Sequence, residues 1–562
     1  MKTTTRFFLI LMLSMSIHAL AQRETDYPIP GGRDGMLVFD LSALNWIDAF
    51  DSLHTILQER YPFTEWKSIN WDLKKNQVRP KIVEAQNEGD PVMHTETLFE
   101  YLYSVPDGHV MYRGDVGEFR QARMAGTFGI NMIPITDGSI VANIVTEGGP
   151  AWMAGIRSGD EILLWNGIPI LNVPELEVYN NFGGLATNYA TEDGRLISRY
   201  EVLSRDSVGA EAEVTFQSHA TGSQQTVVLT SISDDYALLM QAYFLTIPMP
   251  DFDSVVTYKI LDDQIGYLRI LHEGSDAETI EAIRQDPIYL GVKEAIAYFI
   301  EQNINKLIID LRFNAGGNDL LGSAISGFFY DAPCFYEYLT GNSDAGFIIE
   351  DSIITQPETP YFGGEVVVMV SPNCISTGEG IPMMIQRLPN GRVISFWGTN
   401  GSFGIVPNAV FMTDSLQYIL FPYARSLTHD QVIQLDSDSL LVGGVQPDIK
   451  IPLTVERVIE QWQEGKDVEL EYAINTLLDI PEITLQKEYK LYPNPADDLF
   501  HITYDSKKPI TIRIADVSGR LVKSAEQVTS GQAIYVSNLP AGLYFVTIEE
   551  NHQYVVGKLL IQ

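Results

Sequence analysis

Cysteine is almost missing from this 562-residue chain: there are two, Cys334 and Cys374. Two cysteines cannot build a disulfide framework, and no Cys/His spacing suggests a zinc site, so no metal or other cofactor is expected. In an exported protein the two can pair, and they serve equally well as buried thiols; the sequence leaves both open. Positive charge is scarce as well. Lys and Arg number 37 against 73 Asp and Glu, for a net charge of −36. That balance argues against nucleic acid, anionic membrane surfaces and acidic substrates as partners, and favours solubility. After residue 21 no apolar run is long enough to span a membrane, so no transmembrane segment is expected in the mature chain. Finally, no lysine occurs between Lys306 and Lys450.

What is present points first to export. Residues 1–21 read as a signal peptide: Lys2 and Arg6 give the basic start, Phe7 to Ile17 the apolar stretch, and Ala19-Leu20-Ala21 the small-x-small cleavage site. The hydrophobic content of 45% and charged content of 20% describe a chain that buries cores, and the length calls for three to five domains. Residues 22–125 read as a helical N-terminal domain, with one helix from Leu41 through Leu57, Ser42 its candidate cap, and another over Glu96 to Tyr103. The second ends at Val105-Pro106-Asp107-Gly108-His109, a turn by composition. Residues 126–235 change to short strands and turns. Residues 236–485 alternate strand and helix, which argues an α/β core with a mostly parallel sheet. Its strands include Gln264 to Ile270, Lys306 to Arg312 and Val366 to Val370, and a helix covers about Val292 to Asn303. Residues 486–562 are short alternating strands with turns at Ser518-Gly519-Arg520 and Pro540-Ala541-Gly542, fitting a small β-sandwich.

The centre of the chemistry is the stretch from Val366 to Gly404. A buried-strand pattern runs into Ser-Pro-Asn-Cys-Ile-Ser-Thr-Gly-Glu-Gly and then an apolar helical run. Such a strand, turn and helix exposes a side chain beside unpaired helix N–H groups, which suits a nucleophile and a developing oxyanion. Ser376 is the candidate nucleophile. The competing reading is structural: Ser376 caps the helix and Glu379 completes a Ser-x-x-Glu capping box. With Cys374 where the α/β-hydrolase elbow requires glycine, that elbow is excluded. The glycines of Phe313-Asn314-Ala315-Gly316-Gly317 let backbone N–H groups approach a ligand.

Several motifs carry resemblances. Phe128-Gly129-Ile130, Gly149-Pro150-Ala151-x-x-Ala154-Gly155-Ile156 and Gly159-Asp160-Glu161-Ile162-Leu163, closing on Asn166-Gly167, resemble a PDZ domain. That implies capture of an extended polypeptide along a sheet edge, its carboxylate held by backbone N–H groups at Phe128, Gly129 and Ile130. Asp107-Gly108-His109, Ile308-Ile309-Asp310-Leu311-Arg312-x-Asn314-x-Gly316-Gly317, Ser376-x-x-Glu379, Gly398-Thr399-Asn400-Gly401, Gly443-Gly444-Val445-Gln446-Pro447-Asp448 and Gly465-Lys466-Asp467-x-Glu469 follow in order. This set resembles the C-terminal-processing (tail-specific) serine peptidases and, more closely, their tricorn-core branch. The resemblance implies a crotonase-like α/β core and a serine peptidase. The tail-specific Ser–Lys dyad has its lysine about where Ser402 stands, and the lysine gap removes it. The tricorn-like branch implies His109 as general base, with His272 and His429 weaker candidates, and a late carboxylate at Asp438 or Asp436 orienting the imidazole. It implies an oxyanion held by N–H groups of Thr377 and Gly316 or Gly317. Tyr492-Pro493-Asn494-Pro495, Gly519-Arg520 and Leu539-Pro540-Ala541-Gly542-Leu543-Tyr544 resemble the type A C-terminal sorting domain of type IX secretion. That implies the type IX machinery as a partner, and passage through the periplasm to the cell surface or medium. The expectation is therefore an exported serine protease working through an acyl-enzyme on Ser376. Two alternatives stand beside it: a catalytically decayed peptide-binding protein, and an esterase using the same Ser–His pair.

Overall fold

The structure is a computed structural model. It describes residues 37–114, 116–173, 188–243, 252–261, 264–343, 346–412, 417–478, 490–503, 509–516, 521–537, 539–550 and 553–561. The expected signal peptide, residues 174–187 of the β-rich stretch and the Ser518-Gly519-Arg520 turn lie outside the described residues. The chain forms two compact units, one ending at Ala473 and the other beginning at Ile474.

Three helices open the first unit, each started by a side-chain cap. Trp46–Arg60 is capped by Asn45 rather than Ser42, Trp71–Glu88 by Asn70, and Pro91–Tyr103 by Asp90 with proline in its first turn. They bury Phe50, Leu53, Val78, Ile82, Leu98 and Leu102 in one core. This region is not built from its own stretch of chain alone. Strand Val38–Asp40 pairs with Asn408–Phe411, and Met111–Arg113 with Tyr418–Phe421. Val410, Ile419 and Phe421 thereby join the helical core, so residues far downstream complete the N-terminal region.

The β-rich region has a five-strand path: Gln224–Thr230, Glu211–Gln217, Glu161–Trp165, Ile140–Val145 and Ile130–Pro134. Asn166 and Gly167, both at positive φ, make the two-residue turn after Glu161–Trp165, as an Asn-Gly hairpin requires. Helix Glu192–Leu203 lies against the end strand Ile130–Pro134.

The core sheet runs Val256–Ile260, Gly266–Ile270, Lys306–Asp310, Glu365–Met369, Gly391–Ser395 and Ile449–Lys450. The first pair is antiparallel and all the others parallel. The continuous apolar strands are buried on both faces, as the alternation of strand and helix predicts. Because three neighbouring strands run the same way, the loops 311–318, 370–376 and 396–404 all leave the same carboxyl edge. That edge is where open α/β sheets place ligands.

The second unit pairs a three-stranded sheet with a four-stranded one, closing over Phe500, Ile512, Ile514, Val546 and Leu559. Alternate residues of Ile510–Asp516 point inward, the period of a half-buried strand. The strands Leu521–Val528 and Gln553–Ile561 add to those read from the sequence.

Candidate active site

Ser376 does not cap the helix that follows it. Helix Thr377–Gln386 begins without a side-chain cap bond, and Ser376 sits at φ +59°, ψ −137°. A non-glycine residue there costs on the order of 1–3 kcal/mol, a strain typical of sites where geometry serves chemistry. Glu379 keeps its half of the capping box, its carboxylate facing the Ser376 N–H that the Ser402 carbonyl also accepts. Its carboxylate accepts the Thr399 hydroxyl and the Gly401 (3.0 Å) and Ser402 (2.9 Å) N–H groups. Fully buried, it pins the loop 398–402 beside the serine turn, and burial raises its pKa to about 7.

Ser402 links the two candidate catalytic turns. Its carbonyl accepts the Ser376 N–H at 3.0 Å, and its hydroxyl accepts the Gly108 N–H at 2.7 Å. A Cβ on Gly108 would stand 2.5 Å from Ile375 Cδ1 and 2.6 Å from Asn400 Oδ1, so the Asp-Gly-His turn packs directly on the serine turn. Asp107 shapes that turn, accepting the His109 N–H at 2.8 Å and the Tyr61 hydroxyl at 2.5 Å. The His109 ring is 3% exposed, and neither nitrogen has a hydrogen-bond partner. Burial, with Lys67 adding to it and Asp107 opposing, pushes its pKa below the usual histidine range. The imidazole is therefore neutral near pH 7, the state a general base needs. No hydrogen bond joins it to Ser376; such contacts often tighten only when substrate binds.

The glycine loop meets the serine from the other side. A Cβ on Gly316, at φ +75°, would lie 2.5 Å from Ser376 Cβ and 2.6 Å from the Ile375 carbonyl. Gly316→Ala is accordingly expected to displace Ser376 and cut peptide hydrolysis about 100-fold or more, measured as kcat/KM. The Gly316 N–H is taken by Asn314 Oδ1 at 2.9 Å, which removes it from an oxyanion role in this conformation. Among the described residues the N–H groups of Gly317 and Thr377 bond to no protein acceptor. Asn314 also holds Glu273, whose buried carboxyl is pushed up to about 8 by desolvation. Glu273 binds its proton more tightly folded than unfolded. Its contribution to stability is whole below about pH 4.5 and is lost as pH rises through about 8. Glu379 and Glu469, both raised to about 7 by burial, act in the same direction. Glu273→Gln is expected to flatten the fall of Tm between pH 5 and 8.5 by the equivalent of a few kcal/mol.

The other expected residues separate clearly. Asp436 is 2% exposed with both carboxylate oxygens unpartnered, and burial drives its pKa well up, opposed by Lys67. Asp438 closes its own turn, accepting the Leu440 and Val442 N–H groups at 2.8 and 3.1 Å. His429 is exposed and packs on Tyr338, and His272 accepts the Gly274 N–H at 3.0 Å. In the β-rich region the Phe128 N–H bonds to the Ser204 carbonyl and the Gly129 N–H to Thr127 Oγ1, while Ile130 pairs with Val145. Cys334 and Cys374 are both free thiols. The residues that the sequence did not single out for a role in this site are Tyr61 and Lys67, from the turn after the first helix, and Asn314, while Ser402 entered only as the place of a missing lysine. Asn314 lies inside a recognised motif and Ser402 directly follows one; Tyr61 and Lys67 carry no local signal. Among the described residues no helix is long and apolar enough to cross a membrane.

Residues 264–451 match the model of Peptidase family S41, and residues 490–562 that of the Secretion system C-terminal sorting domain. Among solved structures, mature CPAF complexed with lactacystin is similar at 13% identity, covering 77% of this chain and 97% of that one, with a TM-score of 0.51. Mature CPAF matches at 13% identity over 77% and 96%, TM-score 0.52. Tricorn protease matches at 18% identity over 77% of this chain and 36% of that one, TM-score 0.33. The CPAF likenesses establish a shared α/β fold. The chain is a serine-type peptidase with a peptidase family S41 domain, and it carries a C-terminal sorting domain for export by type IX secretion.

Proposed function

We propose that this exported protein hydrolyses peptide bonds through an acyl-enzyme on Ser376. His109 takes the hydroxyl proton as Ser376 attacks the scissile carbonyl and returns it to the leaving amine. The oxyanion rests on the N–H groups of Thr377 and Gly317, with Gly316 available only if its bond to Asn314 opens. Of the two late carboxylates, Asp436 is the one buried near this cluster, and Asp438 is occupied by its own turn. The observation that carries the reading is the pairing of a strained Ser376 with the Asp-Gly-His turn through the two bonds of Ser402.

The β-rich region, in this reading a PDZ domain, engages the polypeptide substrate beside strand Ile130–Pro134. A peptide carboxylate held at Phe128 to Ile130 must displace the Ser204 carbonyl and Thr127 Oγ1 from the backbone donors they occupy. The direct test is turnover by the purified full chain on an unstructured polypeptide and on a matched ester. Peptide cleavage abolished by His109→Ala supports the proposal. Ester cleavage alone makes the protein an esterase, and peptide binding without any turnover makes it a binding protein.

A further inference from the structure

The sequence has no lysine near Ser376, yet the fold brings one to the site from the N-terminal region. Lys67 lies in the turn after helix Trp46–Arg60 and is 5% exposed. Its ammonium donates to the Ser437 carbonyl and to Ser437 Oγ, both at 2.9 Å, and stands 5.6 Å from the centre of the Phe63 ring. Next to it Trp66 Nε1 donates to the Asp436 carbonyl at 3.0 Å. The bonds continue inward. The Ser437 N–H donates to the Gly401 carbonyl at 3.0 Å, and the neighbouring Ser402 holds both the Ser376 and the Gly108 N–H groups.

We propose that Lys67 is a positioning residue of the Ser376–His109 site. Its ammonium fixes the 436–437 turn against the loop that joins the two catalytic turns, and it supplies the buried positive charge that a cluster rich in carboxylates requires. This rests on the reading of Ser376 as nucleophile and His109 as base.

The electrostatics agree with the geometry. The charged groups that act on His109 are Asp107 on its own turn and Lys67 from the turn after the first helix; Tyr61 bonds Asp107, and Asp436 interacts with Lys67, Asp107 and Glu379. Asp107 is fully buried, and so is Glu379; Asp436 has no hydrogen bond to either oxygen. Uncompensated buried carboxylates are costly, and a buried cation offsets part of that cost. The same cation disfavours imidazolium at His109, keeping the ring neutral, while burial does the larger share. Lys67 thus does two things for a base: it holds the scaffold around the ring, and it keeps the ring's lone pair available.

The test uses the full-length protein and a fluorophosphonate, with labelling rate measured from pH 5 to 9. Lys67→Gln keeps an N–H donor for Ser437 and removes the charge; Lys67→Arg keeps the charge. Wild type is expected to label with a rate that rises through the His109 titration. In Lys67→Gln the rise should move about one unit higher, so that labelling on its acid side falls roughly tenfold. Lys67→Arg should titrate with wild type. A Lys67→Gln protein that labels more slowly at every pH with an unmoved midpoint would show a purely structural role and overturn the proposal. If Lys67→Gln loses its cooperative melt, Lys67→Arg decides: a displaced midpoint overturns the proposal, and a wild-type midpoint upholds it. Wild type that does not label at all overturns the Ser–His reading itself, and this proposal with it.

Discussion

Ser376→Ala should lose peptide hydrolysis by about four to six orders of magnitude, with Tm essentially unchanged. Removing the hydroxyl removes the atom that forms the acyl bond, and the N–H groups at Gly317 and Thr377 then have no tetrahedral intermediate to hold. Alanine keeps the Cβ, so the strain at φ +59° stays and the fold should not notice the change. Ser376→Gly separates the two effects. It is just as inactive, yet glycine adopts this backbone without a steric penalty, so it should be more stable than wild type by about 1 kcal/mol. Chemical denaturation of the two variants beside wild type checks this. Equal stability of alanine and glycine variants would remove the strain from the account.

The second large effect lies behind the site. Arg312 is buried and binds Asp310 at 2.7 and 2.9 Å, Asp467 at 2.8 Å through both nitrogens, and Glu469 at 3.2 Å. Its own carbonyl accepts the Ser371 hydroxyl, which sets the chain entering the serine turn. Arg312→Met leaves three carboxylates together with no cation. Breaking a buried pair of this kind costs about 3–5 kcal/mol, and three orphaned partners place this case at the upper end. Tm should fall by roughly 10 °C or more, and hydrolysis should fall with it as the Gly316–Gly317 loop loses its anchor. The sign with pH is a further check. Acid neutralises the orphaned carboxylates, so the variant should recover stability relative to wild type as pH drops from 8 to 5.

What could be read from the sequence is what neighbouring residues decide. The strand, turn and helix around Ser376, the Asn166-Gly167 hairpin and the inward alternation of Ile510, Ile512 and Ile514 follow from periodicity and turn chemistry within a few residues. Helix Trp71–Glu88 carries no such local pattern, because Pro80 sits inside it and its buried face, Trp71, Val78, Ile82 and Ala85, is sparse. The capping box at Ser376 and Glu379 has the right spacing, and the fold keeps only its Glu379 half. The serine backbone is turned to positive φ, so its hydroxyl does not cap, and the Glu379 carboxylate binds the loop 398–402 as well as facing the Ser376 N–H. Lys67 shows the limit most plainly. Nothing within its own turn marks it, and its partner Ser437 is brought to it only when strands 408–411 and 418–421 close on the N-terminal helices. The same closure explains why the N-terminal region is not one continuous stretch of chain. Asp436 and Asp438 stand in one run of polar turn residues and read alike in the sequence; in the fold Asp436 is buried and Asp438 closes its own turn.

The measurement that bears most directly on the central claim is fluorophosphonate labelling of the purified protein at neutral pH, with Ser376→Ala and His109→Ala beside it. One labelled site is expected in wild type, at Ser376, and none in either variant, with all three melting alike. Labelling of wild type that survives His109→Ala, or that maps to another serine, would contradict it.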